Sequence, residues 1–131
     1  MPAILPILRL DPGDRTPLYA QLERGILAAI ATGRFQVGDQ LPTVRQLAVE
    51  LRINANTVAK VYAQLERSGV LETRRGVGTF VTALRERPAA AGARQSELRR
   101  LIERFLADLS TQGFSAEHAI AELEARRHKG A

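Results

Sequence analysis

Two apolar stripes of helical period stand almost back to back in the middle of this chain. Val44, Leu47, Ala48 and Leu51 recur at i, i+3, i+4 and i+7, and Val58, Val61, Tyr62 and Leu65 repeat that spacing. Each set marks a helix that buries one side. The gap between them leaves a turn of about three residues around Arg52, so the two helices must fold sharply against each other. Few architectures satisfy that constraint, and a helix-turn-helix is the simplest.

The residues that begin these helices support the reading. Thr43-Val44-Arg45-Gln46 fits a capping box, in which hydroxyl and amide each satisfy a free backbone donor. Asn54 stands immediately before the second helix, where its amide oxygen can cap the first turn. An earlier amphipathic helix carries Leu18, Leu22, Ile26, Ala29 and Ile30, with Thr16-Pro17 as its expected start and Gly33 as its end. Upstream, Ile7 to Leu10 is expected to form a short strand before the turn-forming string DPGDR.

After Gly69 the pattern changes to strand, glycine-bracketed tip, strand across VLETRRGVGTFVT, with Arg74 and Arg75 beside the turn at Gly76 to Gly78. A basic hairpin placed directly after a helix-turn-helix is a wing. The first domain is therefore expected to span 1–82, with a Pro- and Gly-containing linker at 83–93.

From 94 to 131 the helical period returns. Leu98, Leu101, Ile102, Phe105 and Leu109 line one helix, and Ile120 and Leu123 line a second begun by Ser115 after Gly113. Two helices joined so closely form an antiparallel hairpin whose apolar face needs a cover. The expected cover is a second copy of the chain, which makes those seven residues the candidate dimer interface. The expected fold class is mainly α: three helices and a small β-hairpin wing, then a helical hairpin.

Composition removes other classes. The chain has no cysteine, which excludes disulfides and thiolate chemistry, and its two histidines offer no metal site beyond a weak His118–Glu122 pair. No apolar run approaches the roughly 18 residues of a membrane span, and the amino end lacks a signal-peptide layout. The cytoplasm is the expected location. No nucleophile stands beside a histidine base, and GVG at 76–78 is a turn signature, so neither catalysis nor a cofactor is expected. Between residues 40 and 82 lie six basic and three acidic residues, a net +3 of the chain's +5. An anionic partner fits that concentration of charge.

The polar head of the second helix then acquires a purpose. Asn56 and, four residues on, Lys60 lie opposite the buried stripe, among the small residues Ala55, Ala59 and Ala63. An α-helix fits the major groove, where asparagine pairs with adenine, threonine reads either edge and lysine reaches guanine or phosphate. Asn54, Asn56 and Thr57 are thus candidate readers of double-stranded DNA, with helix capping as the plainer reading, above all for Asn54, and solvent-facing filler as the plainer reading of Asn56 and Lys60. Arg74 and Arg75 are read as phosphate anchors in preference to solvated hairpin charges.

The stretch TPLYAQLERGILAAIATGRFQVGDQLPTVRQLAVELRINANTVAKVYAQLERSGVLETRRGVGTFV resembles the winged-helix DNA-binding domain of the GntR family of bacterial transcription regulators. The short tail resembles that of the YtrA subfamily, whose members dimerise through it and lack large effector-binding domains. The resemblance implies that Arg45 contacts DNA and that Thr43 offers its helix end to a phosphate. It also implies that Asn54, Asn56 and Thr57 begin the recognition helix, and that Gly76 to Gly78 form a wing tip at the minor groove. One departure stands out: Ala55 occupies a position where many members carry arginine, so a guanine contact from there is lacking. The expected function is a homodimeric repressor of a palindromic operator, with recognition helix 54–68 and wing 70–82. A winged helix that binds protein is the alternative. Control could come from a small-molecule effector at the tails or linker, or from autoregulated abundance.

Overall fold

The computed structural model describes residues 8–82 and 91–129. The chain divides into two compact units, Met1–Leu84 and Arg85–Lys129.

The first unit contains α1 (Leu18–Ala31), β1 (Gln40–Leu41), α2 (Val44–Leu51), α3 (Ala55–Arg67), β2 (Leu71–Arg74) and β3 (Gly78–Val81). Both central stripes face inward. Leu47 and Ala48 of α2 are buried with Val58, Val61, Tyr62 and Leu65 of α3, against Leu22, Ile26 and Ala29 of α1. Leu8, Phe35, Leu41, Val70, Leu71 and Val81 complete a single core. Burying each large apolar side chain contributes about 1.5–3 kcal/mol. Gly33, at φ +79°, ends α1, after which the Phe35 N–H donates to the Ala29 carbonyl at 3.1 Å and its ring turns into the core.

Three local expectations need correction. Leu8 to Leu10 form no strand, and Ile7 lies outside the described residues. The segment instead drops Leu8 into the core, its Cδ2 close to where a side chain at Gly25 would begin. Thr16 does not cap α1; the capping position is Pro17, which makes no side-chain cap bond. Gln21 instead ties the preceding loop to the helix, donating through Nε2 to the carbonyls of Thr16 and Asp11 at 2.8 and 2.9 Å and accepting from the Asp11 N–H. The wing, finally, is more than a hairpin. Gln40 and Leu41 pair antiparallel with Phe80 and Thr79, giving a three-stranded sheet of order β1-β3-β2.

The second unit holds α4 (Ala91–Thr111) and α5 (Ala116–Lys129). Helix α4 begins at Ala91, inside the segment expected to be linker; the rest of that segment, 83–90, lies outside the described residues. Gly113, at φ +84°, breaks the chain between the helices. Here His118 takes the place of a glutamine in a capping arrangement: its Nδ1 accepts the Ser115 N–H at 2.9 Å. The two helices stay open along their lengths, with Leu109 and Ala119 half-buried near the loop and the remaining apolar side chains exposed.

Candidate nucleic-acid interface

The sequence of α3 sets the geometry of its exposed end. Asn54 stands at extended φ/ψ and its Oδ1 accepts the Asn56 N–H at 2.8 Å, so this oxygen is committed to starting the helix. Asn56, in the first turn, is exposed, and no hydrogen bond engages its carboxamide among the described residues. Both its donor and its acceptor are therefore available to a base edge, the pairing adenine requires. Thr57 is half-buried beside it, while Ala55 and Ala59 keep the neighbouring surface low.

At α2 the capping box is complete. The Thr43 hydroxyl accepts the Gln46 N–H at 3.1 Å and the Gln46 Oε1 accepts the Thr43 N–H at 2.9 Å. The amides that follow Thr43 point out of the helix start, where the helix dipole favours an anion such as phosphate. Arg45 is exposed on that first turn, with no ion pair among the described residues.

Three bonds hold the helices and the wing in place. The Tyr62 hydroxyl donates to the Pro42 carbonyl at 2.7 Å, fixing the start of α2 to α3. Gln40 Nε2 donates to the Val77 carbonyl at 3.0 Å, fixing the tip of the wing to β1. Glu66 Oε1 accepts the Thr73 N–H at 3.3 Å, joining α3 to β2. Gly78, at φ +147°, adopts a backbone conformation that favours glycine, and a Cβ there would also displace the Gln40 amide. Gly76, at φ +75°, supplies the tip with a left-handed turn. Sequence reasoning missed Gln40, which carries no local signal because its partners lie far along the chain.

The basic residues fall into two groups. Arg45 and Arg75 are exposed and make no ion pair among the described residues. Arg74 and Lys60 are held. The Arg74 guanidinium lies 4.5 Å from the centroid of the Phe80 ring and 3.9 Å from Glu72, so its position on the sheet face is fixed by its own strand neighbours. The Lys60 ammonium lies 5.0 Å from the centroid of Tyr19, on α1.

A sharp two-helix motif with an exposed amide at the capped end of its second helix, followed by a basic three-stranded wing, defines a winged helix-turn-helix domain of the DNA-binding kind. Residues 18–81 match the family described as "Bacterial regulatory proteins, gntR family". The chain belongs to that family. It is 41% identical over 76 residues to the HTH-type transcriptional repressor YtrA of Bacillus subtilis, a match that covers 58% of each protein. Its fold is similar to that of YtrA from Sulfolobus acidocaldarius, a GntR-family transcription factor, at TM-score 0.58 and 33% identity over 77% of this chain and 98% of that one. AraR(DBD) in complex with operator ORE1 aligns at TM-score 0.50 and 28% identity, over 56% of this chain and 90% of that one.

Proposed function

We propose that this protein is a transcriptional repressor that binds a palindromic operator as a homodimer, reading bases with the amino end of α3 and holding phosphates with α2 and the wing. The observation that carries the reading is Asn56: a carboxamide exposed at the start of a capped helix, without a partner among the described residues and flanked by alanines. Arg45 and Arg75, both exposed, and the amino end of α2 add positive charge to the same unit. Similarity to a domain solved on its operator supports the same assignment. A protein that reads chromosomal DNA works in the cytoplasm, and no described helix is long and apolar enough to cross a membrane.

The homodimer is supported by the second unit. Leu98, Leu101, Ile102, Phe105, Ile120 and Leu123 are each between 46% and 57% exposed, an apolar face that an isolated pair of helices leaves in water. A second copy presenting the same face covers both, and twofold symmetry sets the two readers about one helical turn of DNA apart or a multiple of it.

The test is fluorescence anisotropy with labelled random-sequence duplex at low salt, followed by selection of bound fragments from genomic DNA. Binding that falls steeply with salt, and a recovered motif with twofold symmetry, are expected. No binding at low salt would instead favour a protein partner for the winged helix.

A further inference from the structure

Lys60 is an unusual lysine for a DNA-facing helix, because it is held by a ring instead of a carboxylate. Its ammonium stands 5.0 Å from the centroid of Tyr19, the second residue of α1, and no acid lies within ion-pair distance of it among the described residues. The two residues line a shallow hollow with Glu23, Val61, Gln64 and Arg67, where α1 meets the flank of α3. Tyr19 is 45% exposed and its hydroxyl makes no hydrogen bond among the described residues, so core packing alone does not account for its position.

An acid at Tyr19 would fix the lysine and neutralise it. An aromatic face fixes it while leaving the full charge and the outward N–H donors for another anion. A free lysine carries large side-chain entropy, which it loses on meeting a phosphate; one already held on a ring loses less. We propose that Tyr19 is a positioning residue of the DNA interface, its ring holding the Lys60 ammonium beside the recognition helix for a backbone phosphate at the rim of the groove. The inference rests on the DNA-binding reading above, and it brings the start of α1 into the site.

The experiment uses the full chain and labelled random-sequence duplex, with Tyr19→Leu, Tyr19→Phe, Lys60→Met and the Tyr19→Leu/Lys60→Met double variant. Tyr19→Leu is expected to weaken binding about two- to five-fold and Tyr19→Phe to leave it unchanged, since the ring and not the hydroxyl does the holding. Lys60→Met should lower the slope of log affinity against log salt by about 0.9, one phosphate contact, and abolish the effect of Tyr19→Leu. In the free protein, NMR should show the Lys60 ε-methylene protons shifted upfield by the ring, and the shift lost in Tyr19→Leu. Wild-type affinity in Tyr19→Leu, an equal cost in both lysine backgrounds, or no ring-current shift would overturn the proposal while leaving DNA binding intact. Should the wild-type protein bind no duplex, both readings fall together. Thermal melting of each variant identifies any that misfold, and Tyr19→Met then replaces Tyr19→Leu.

Discussion

The Tyr62 hydroxyl donates a 2.7 Å hydrogen bond to the carbonyl of Pro42, and this one contact sets the start of α2 relative to α3. Tyr62 belongs to the buried stripe of the recognition helix, while Pro42 stands just ahead of the Thr43 cap. The same side chain thus serves the core and joins the start of α2 to the middle of α3.

Replacing Tyr62 with phenylalanine keeps the packing and strands a buried carbonyl, which should cost about 1–3 kcal/mol of stability in urea unfolding. Burial also pushes the Tyr62 phenol well above its ordinary range. The folded protein therefore keeps a proton that the unfolded chain gives up near pH 10. The contribution to stability is full below that pH and declines as pH rises above it. Tyr62→Phe should flatten this alkaline fall; an unchanged pH slope would refute the assignment.

Arg52 closes α2 at φ 57° and ψ 47°, a left-handed conformation that costs a side-chain-bearing residue about 1–2 kcal/mol. The bend is needed so that the Ile53 N–H reaches the Ala48 carbonyl at 3.0 Å. Arg52→Gly should raise stability by about 1 kcal/mol, once the greater freedom of glycine in the unfolded chain is deducted. A lower melting temperature would show that the arginine side chain contributes packing that outweighs the strain.

The tail carries the dimer in this account. Leu101→Glu combined with Phe105→Glu places two carboxylates on the exposed apolar face of α4. Light scattering should then report monomers, and operator affinity should drop by about 10²–10⁴ as the two half-sites lose their linkage. The first unit should melt as before. A variant that stays dimeric would place the interface elsewhere.

Much of this was legible in the chain because the decisive signals are local. The stripe Val58, Val61, Tyr62 and Leu65, the Thr43–Gln46 capping box and the Asn54 cap each span a turn or two of helix, and all three stand in the structure as the sequence suggests. What escaped notice depends on residues distant in sequence. Gln40 and Leu41 become a strand only because Phe80 and Thr79 return beside them, and two residues have no periodicity to detect. The Tyr19–Lys60 contact requires α1 and α3 to be packed before it exists. At the start of α1 the sequence misled: Thr16 has the right chemistry for a cap, yet it stands one residue ahead of the capping position, which Pro17 occupies.

The central claim, that Asn56 reads a base while the wing holds the backbone, is tested most directly by one comparison. Affinities of wild type, Asn56→Ala and Arg75→Ala are measured for the selected operator and for random duplex at equal salt. Asn56→Ala should lose about 1–3 kcal/mol on the operator and little on random duplex, whereas Arg75→Ala should weaken both alike. If Asn56→Ala weakened both in equal proportion, the amide would be no reader.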